Sequence, residues 1–587
     1  MNGSTLARRY APLVALAVVQ LLIIGFVPSK AAKNTQQIAA GSQIGTGSSS
    51  AGSGAGSGSA TGPGATVGAG SGTDAGSSGG SGAGGGAAAA VPPGADIGGD
   101  TTHCVKGREF DPAIAFWAPP CVPGKVGAVG IKNGGSTYAG VKDNEITIVD
   151  YISNYGAEVN AILAAQGSLV TYDDAKTLDV AWTKFINDHY VLYGRKVKII
   201  TYQGQCQSVP PDYGCLIPEM GTVVNTYHPF AVNWQTTLCS ACYSELRRLG
   251  VVGMGGTGFS NNLAQALYPY FYGGGESSTD IEQNFAEFYC TQMTGPAKFA
   301  GTQNPAQNFN GRPRNLGIIS TDDPDNKDTV EKFLIPLLKK TCGVTVTNTY
   351  FYAQDINTAA KQVAAGIAAM NDPQHPATTV LCLCDQVAPQ FLFGGEQENN
   401  YYPENVIATD QRMDYDKNGQ TYGPSSQLSC PNPKIGCPYD KALGLGNIGS
   451  EEPQANDAGT RVFHAGGGGA PPGSVDGKTL SYTGLEWIML ANLMEAAGPN
   501  LTPNTMAAHA QSLGKFGGPG TPNERLEFRP GNGYWTRDAR LIYWNPGLTS
   551  KYNGAAGAYL QVGDRRLLGG WAKTPDGQPE GVPVDRK

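Results

Sequence analysis

The chain has 587 residues, 40% hydrophobic and 9% aromatic, enough for two or three ordinary domains with a sizeable core. Its formal net charge is −7, and no basic run of the kind that neutralises phosphates occurs, so nucleic acid is excluded from the expected partners.

Arg8 and Arg9 precede an apolar run from Ala11 to Val27, followed by small residues around Ser29, Lys30 and Ala31, which is the layout of an export signal over residues 1–31. The run contains Pro12 and Gln20, and both cleavage and retention as a membrane anchor stay open. No cysteine follows until Cys104, so the Leu-x-x-Cys pattern for lipid attachment is missing. Any contact with a membrane is therefore expected through the N-terminal segment only. From Gly41 to Ala95 the chain is almost entirely Gly, Ser, Ala and Thr with Asp74 as the one charge, so residues 32–97 read as a disordered linker. A Gly-rich coil of this length spans on the order of 40 Å. Such a tether makes sense behind a membrane anchor, and the expected location is extracytoplasmic, either secreted or tethered to the outer face of the cytoplasmic membrane.

All 12 cysteines lie from Cys104 onward, and an even count in an oxidising compartment points to disulfides. Proximity suggests Cys104 with Cys121 in a lead-in at 98–139, Cys206 with Cys215, and Cys430 with Cys437. Cys290 and Cys342 end two successive helical patterns and can also meet. Cys239-Ser-Ala-Cys242 reads as a small structural bridge rather than a redox pair or a zinc site. Cys382 and Cys384, taken as alternating across a strand, are not expected to bond each other easily. The sequence leaves the pairing of these last six open.

A strand is predicted at Glu145 to Val149. A helix follows with Leu178, Trp182, Phe185, Ile186 and His189 on one face and Asp173 as its cap, then a strand at Lys196 to Thr201. Pro229 to Val232 reads as strand, Leu238 to Leu249 as helix and Val251 to Gly253 as strand. After Gly275 the alternation restarts: helix Thr279 to Met293, strand Asn315 to Ser320, helix Lys327 to Lys340 bent at Pro336, strand Val344 to Phe351, helix Asn357 to Met370, and strands Thr379 to Cys384 and Asn405 to Thr409. Tyr482 to Ala497 and Thr502 to Leu513 read as helices, the first stopped by Gly498-Pro499 and the second begun by Thr502-Pro503. This is the α/β pattern of mostly parallel sheets.

Gly140-Val141-Lys142-Asp143-Asn144-Glu145-Ile146 opens the first strand, Tyr193-Gly194-Arg195-Lys196-Val197 precedes the second, and Tyr482-Thr483-Gly484 to Gly498 leads to Leu501-Thr502-Pro503. In this order, from about Gly140 to Leu513, the chain resembles type 1 periplasmic binding proteins, the leucine/isoleucine/valine-binding family of ABC-importer substrate-binding proteins. The resemblance implies an α/β, two-lobed fold, each lobe a mostly parallel sheet flanked by helices. Residues 140–275 and 452–513 would form one lobe, 276–451 and 514–587 the other, with crossings near Gly273 to Gly275, near Gly446 to Glu452 and after about Gly514.

Gly253-Met254-Gly255-Gly256-Thr257-Gly258 follows a strand, precedes a possible helix and has Glu276 downstream, which formally completes a dinucleotide fingerprint. That fingerprint belongs to the first strand–helix turn of a domain, whereas here it follows a late strand, so the expected use is a turn whose N–H groups hold a carboxylate. Carried over from the family, the residues gripping the ligand carboxylate are Gly256 and Thr257 with Gln235, Thr236 and Thr237 in the preceding loop. In the other lobe the strand-end candidates are Asp322 and Asp323, Asp385 and Gln386, and Asp410, Gln411 and Arg412, with Asp385 or Asp410 on the ligand ammonium. The family closes tyrosines over the ligand side chain, and none stands at the matching positions, a departure that bears against an aliphatic ligand.

Asp414-Tyr415-Asp416-Lys417-Asn418-Gly419 reproduces the first half of a calcium loop, but Ser425 stands where a bidentate glutamate is required, so a plain turn is expected and no metal. The 6 histidines stand singly, and neither Gly-x-Ser-x-Gly nor His-Glu-x-x-His occurs, so no enzymatic activity and no cofactor are expected. Two readings of different class remain. One is a solute-binding protein taking an amino-acid-like or other small carboxylate ligand, with an ABC permease as partner. The other is a tethered surface receptor or adhesion module of the same fold without a transport role.

Overall fold

A computed structural model describes residues 99–583 apart from 129–132, 235–238, 257, 301–308, 410–412 and 537. The expected export segment and the glycine-rich linker lie outside the described residues. Among the described residues no helix is long and apolar enough to cross a membrane.

Apolar runs bounded by turns become parallel strands. The first sheet holds β1 (Glu145–Asn154), β2 (Lys196–Gln207), β3 (Ala231–Asn233), β4 (Val252–Met254) and β5 (Phe271–Tyr272) in the order β2-β1-β3-β4-β5, all neighbours parallel. Successive residues of a strand face opposite ways. Ile146 and Ile148 therefore pack with the helices Tyr172–His189 and Gly477–Ala496, while Val149 and Tyr151 pack with the helices Tyr213–Tyr227 and Ser240–Arg248.

Two local features differ from expectation. Thr171 rather than Asp173 caps the helix Tyr172–His189: its hydroxyl accepts the Asp174 N–H, and the Asp174 carboxylate accepts the Thr171 N–H in return. The helix Tyr213–Tyr227 escapes the sequence pattern because Pro218 stands inside it, and the Asp212 cap supplies its start.

The second sheet holds β6 (Leu316–Thr321), β7 (Asn348–Tyr352), β8 (Thr379–Leu383), β9 (Glu404–Thr409), β10 (Leu443–Gly446), β11 (Asp538–Thr549) and β12 (Ala556–Leu567), in the order β12-β11-β10-β9-β8-β6-β7. β6 to β10 are parallel, and the long hairpin β11–β12 adds an antiparallel edge. Its two faces are covered by the helix Ser278–Gln292 with Val330, Leu334 and Leu338, and by Ile367, Met370, Leu392 and Phe393 from the helices Ala359–Met370 and Ala388–Glu398. Just before Pro336 a π turn, Val330–Leu334, joins the helices Pro324–Thr329 and Ile335–Cys342. The proline offers no N–H to the carbonyl four residues back, and the widened turn accommodates the missing bond.

The chain passes to the second sheet after β5 and returns after β10. Phe516, Leu526, Phe528 and Trp535 still belong to the first core before Asp538 opens β11.

Cys104–Cys121, Cys206–Cys215, Cys239–Cys242, Cys290–Cys342 and Cys430–Cys437 are bridged. So, against expectation, are Cys382 and Cys384. Residues two apart on a strand share a face, and both sulfurs lie in the same buried cluster. β8 stops at Leu383, and the backbone beyond it contracts to a Cα–Cα separation of 5.1 Å, within bridging range. Non-reducing peptide mapping of exported protein is expected to return all six pairs, and free thiols at the three loop staples would overturn the oxidised assignment.

Candidate functional site

Parallel strands of an open sheet end in loops, and ligands of such sheets bind where those carboxyl ends converge. Two depressions lie at this edge. The smaller encloses about 410 Å³ beside the ends of β6, β8 and β9, with Gly258, Ser278, Glu282, Thr321, Asn326 and Asp385 on its walls. The larger encloses about 1270 Å³, part of it open to solvent. Tyr155, Val159, Leu163 and Tyr482 wall it from the side of the first sheet, and Tyr350, Tyr352, Gln354, Val363 and Phe391 from the side of the second. Cys384 and Asp385 border both, so the Cys382–Cys384 bridge and the loop behind it form the partition between them.

The lobes meet on both flanks of this region. The Gln166 amide donates to the Gln386 carbonyl at 2.9 Å. The Ser260 N–H and hydroxyl donate to the two Asp325 carboxylate oxygens at 2.6 and 2.7 Å. Lys417 pairs with Asp476 at 3.5 Å.

Asp385 is the best-held of the predicted residues. Its Oδ1 accepts the N–H groups of Val387 and Ala388 at 2.7 and 2.9 Å, which caps the helix Ala388–Glu398, and its Oδ2 accepts the Tyr352 hydroxyl at 2.8 Å. Gln386 lines the larger depression beside it, its carbonyl also taking the Tyr422 hydroxyl at 3.1 Å. Asp322 and Asp323 line neither depression. Asp322 is exposed, and Asp323 caps the helix Pro324–Thr329 through the Asp325 N–H at 3.0 Å, with burial holding its carboxyl above the usual range. Both face Tyr213 from the first lobe, whose phenol is pushed up by its own burial and then by their charge.

Gly256 is a packing glycine: a Cβ there would come within 2.9 Å of Phe259, Phe271 and Tyr243. Gly253 likewise abuts Tyr243, so these glycines of the fingerprint-like stretch make room for aromatic rings. Gln235, Thr236, Thr237, Thr257, Asp410, Gln411 and Arg412 lie outside the described residues. Asp414 and Asp416 of the half calcium loop are buried, Asp416 accepting the Tyr559 N–H at 2.8 Å and the Ser550 hydroxyl at 2.7 Å.

Several wall residues escape sequence reasoning. Glu282 is 2% exposed, its Oε2 has no hydrogen-bond partner among the described residues, and burial, reinforced by the nearby Asp325, pushes its carboxyl well above the ordinary range. The signal for it was an acid beside Ile281 and Phe285 on the buried face of a helix. The tyrosines missing from the matching loops are supplied from elsewhere: Tyr155 follows β1, Tyr350 and Tyr352 lie on β7, and Tyr482 projects from the helix Gly477–Ala496.

No family model matches the chain, and no curated protein matches it in sequence. It is similar to a solved R. palustris solute-binding protein of an ABC transporter in complex with 4-hydroxybenzoate, with 13% identity over 74% of this chain and 98% of that one and a TM-score of 0.47. It is also similar to a branched-chain amino-acid ABC transporter protein from Thermus thermophilus with bound valine, at 8% identity over 72% and 97% of the two chains and a TM-score of 0.48. A third is the leucine-, isoleucine-, valine-, threonine- and alanine-binding protein from Brucella ovis in its closed conformation, at 12% identity, 73% and 97% coverage and a TM-score of 0.46.

Proposed function

We propose that the chain is an extracytoplasmic solute-binding protein that takes one small molecule between its two lobes and hands it to an ABC permease. The observation that carries this reading is the cleft of about 1270 Å³ at the carboxyl edge of the strands, walled by both lobes and lined by aromatic and aliphatic side chains with a few convergent polar groups. A ligand there touches both lobes at once, so it favours the closed arrangement by its differential affinity for it. Contacts between the lobes such as Gln166 to Gln386 and Ser260 to Asp325 support that arrangement. The polar end of the ligand meets Asp385 and the Tyr352 hydroxyl, and its body lies against Val159, Leu163, Val363 and Phe391.

The test is a thermal-shift screen of the full chain over amino acids, amides, amines and aromatic acids, followed by small-angle scattering of each hit. A true ligand stabilises by roughly 2.7 kcal/mol at a hundred times its dissociation constant, and it reduces the radius of gyration. Ala359→Trp, which fills the cleft, is expected to abolish both effects. Stabilisation without compaction would favour a receptor that does not feed an importer, and the absence of any compacting solute would end the reading.

A further inference from the structure

We infer that the larger cleft selects an organic cation, a small molecule with an apolar body and an amine or quaternary ammonium head, and rejects the carboxylate of the same body. This rests on the solute-binding reading and narrows its ligand class.

Asp355 and Asp385 are the carboxylates on the cleft wall, and no lysine, arginine or histidine stands among the described lining residues. The donors that reach these carboxylates are neutral: the N–H groups of Val387 and Ala388, the Tyr352 hydroxyl and the Gln354 amide on Asp385, and the Asn357 N–H and amide and the Thr358 hydroxyl on Asp355. Hydrogen bonds from neutral groups hold the two charges in place without cancelling them.

One opposing effect needs weighing. The helices Ala359–Met370 and Ala388–Glu398 both begin at this wall, and a helix N-terminus carries roughly half a positive charge. Two such ends offset about one of the two carboxylate charges, and the remainder is negative. Inside a cleft with apolar walls that remainder is focused rather than screened. An anionic ligand meets repulsion and loses its hydration with no cation among the described lining residues to replace it. A cation meets attraction, and the rings of Tyr155, Tyr350, Tyr352, Tyr482 and Phe391 around the same space offer faces that favour an ammonium group.

The experiment compares three probes with one body, phenethylamine, 2-phenylethanol and 3-phenylpropionate, by calorimetry on the full chain at low salt. Phenethylamine is expected to bind about tenfold tighter than the alcohol, with no measurable heat from 3-phenylpropionate. The double variant Asp355→Asn, Asp385→Asn keeps the oxygen acceptors for the local N–H groups. It is expected to bring the amine down to the affinity of the alcohol and to leave the alcohol unchanged. Ala359→Trp is expected to remove binding of both. Equal or tighter binding of 3-phenylpropionate overturns the inference, as does amine affinity untouched by the double variant, or no binding by any of the three. An anion or amino acid that compacts the wild-type chain, with compaction lost in Ala359→Trp, would refute charge selection while leaving the solute-binding reading intact.

Discussion

Arg565→Met is expected to destabilise the chain by about 3–5 kcal/mol, a cost characteristic of breaking a buried ion pair on one side only. The Arg565 side chain is fully buried, with Nε on Asp538 Oδ2 and Nη2 on Asp538 Oδ1, both at 2.8 Å. Its remaining donors reach the carbonyls of Ile448 and Asn447 at 2.7 Å each. Those two residues are where the chain leaves β10 toward the first lobe, and Asp538 is where it re-enters the second sheet as β11. One guanidinium from β12 therefore ties together two of the passages between lobes. Methionine fills much of the volume but leaves the Asp538 carboxylate in the interior with the Arg525 N–H, at 2.9 Å, as its remaining strong donor. The double variant Arg565→Met, Asp538→Leu removes the stranded charge and is expected to recover most of the loss, because paired replacement of a buried ion pair is often close to neutral. Denaturant unfolding of the two variants decides this. If the double variant is as unstable as the single one, the cost lies in the lost carbonyl contacts rather than in the uncompensated charge.

The parallel framework was readable from the sequence because buried parallel strands are short apolar runs. Glu145 to Val149 and Asn405 to Thr409 have no competing interpretation at their length. Helix ends were readable where the cap is a side chain of fixed chemistry, as at Thr502-Pro503, and misread where a neighbour competes, as with Asp173 beside Thr171. The hairpin β11–β12 was missed although Leu541 to Trp544 and Ala558 to Leu560 are apolar runs of strand character: Pro546, Gly547, Gly557 and Gly563 interrupt the strands, and long-range pairing rather than local pattern sets their full length. The cleft was legible only in part. Loops at strand ends announce themselves, and Asp385 and Gln386 were found that way. Tyr155, Tyr482 and Glu282 reach the same region from helices or from the far lobe, and their convergence is a property of the packing of two sheets that no single segment encodes.

The Asp150–Asp179 pair is expected to contribute stability that falls as pH rises from about 4 to about 7, and Asp179→Asn is expected to remove the part of that slope that Asp179 carries. Asp150 on β1 and Asp179 on the helix Tyr172–His189 are 4% and 5% exposed and lie against each other beneath the first sheet's carboxyl edge. Asp150 Oδ1 accepts the Asn233 amide at 3.1 Å, and Asp179 Oδ2 accepts the Thr201 hydroxyl at 2.5 Å. Two adjacent carboxylates in a dry interior cannot both ionise without large cost. Burial, with the charge of Asp179 and then of Glu486 added, drives Asp150 well above the usual range, and burial pushes Asp179 up to about 7. The sign follows from proton counting. Below about pH 4 both states hold their protons. Between that value and about 7 the unfolded chain releases them while the folded chain keeps them, so each step upward in pH favours unfolding. The contribution is thus present in acid and lost as pH approaches the folded value, by an amount on the order of a few kcal/mol. Asparagine at position 179 still accepts from Thr201 and can donate to Asp150, so the contact survives without the titration of Asp179. The variant should therefore match the wild type near pH 4 and exceed it near pH 7.5. Thermal unfolding of both proteins across that range is the measurement, and parallel profiles would mean that the pair is solvated or neutralised in a way its burial and hydrogen bonds do not account for.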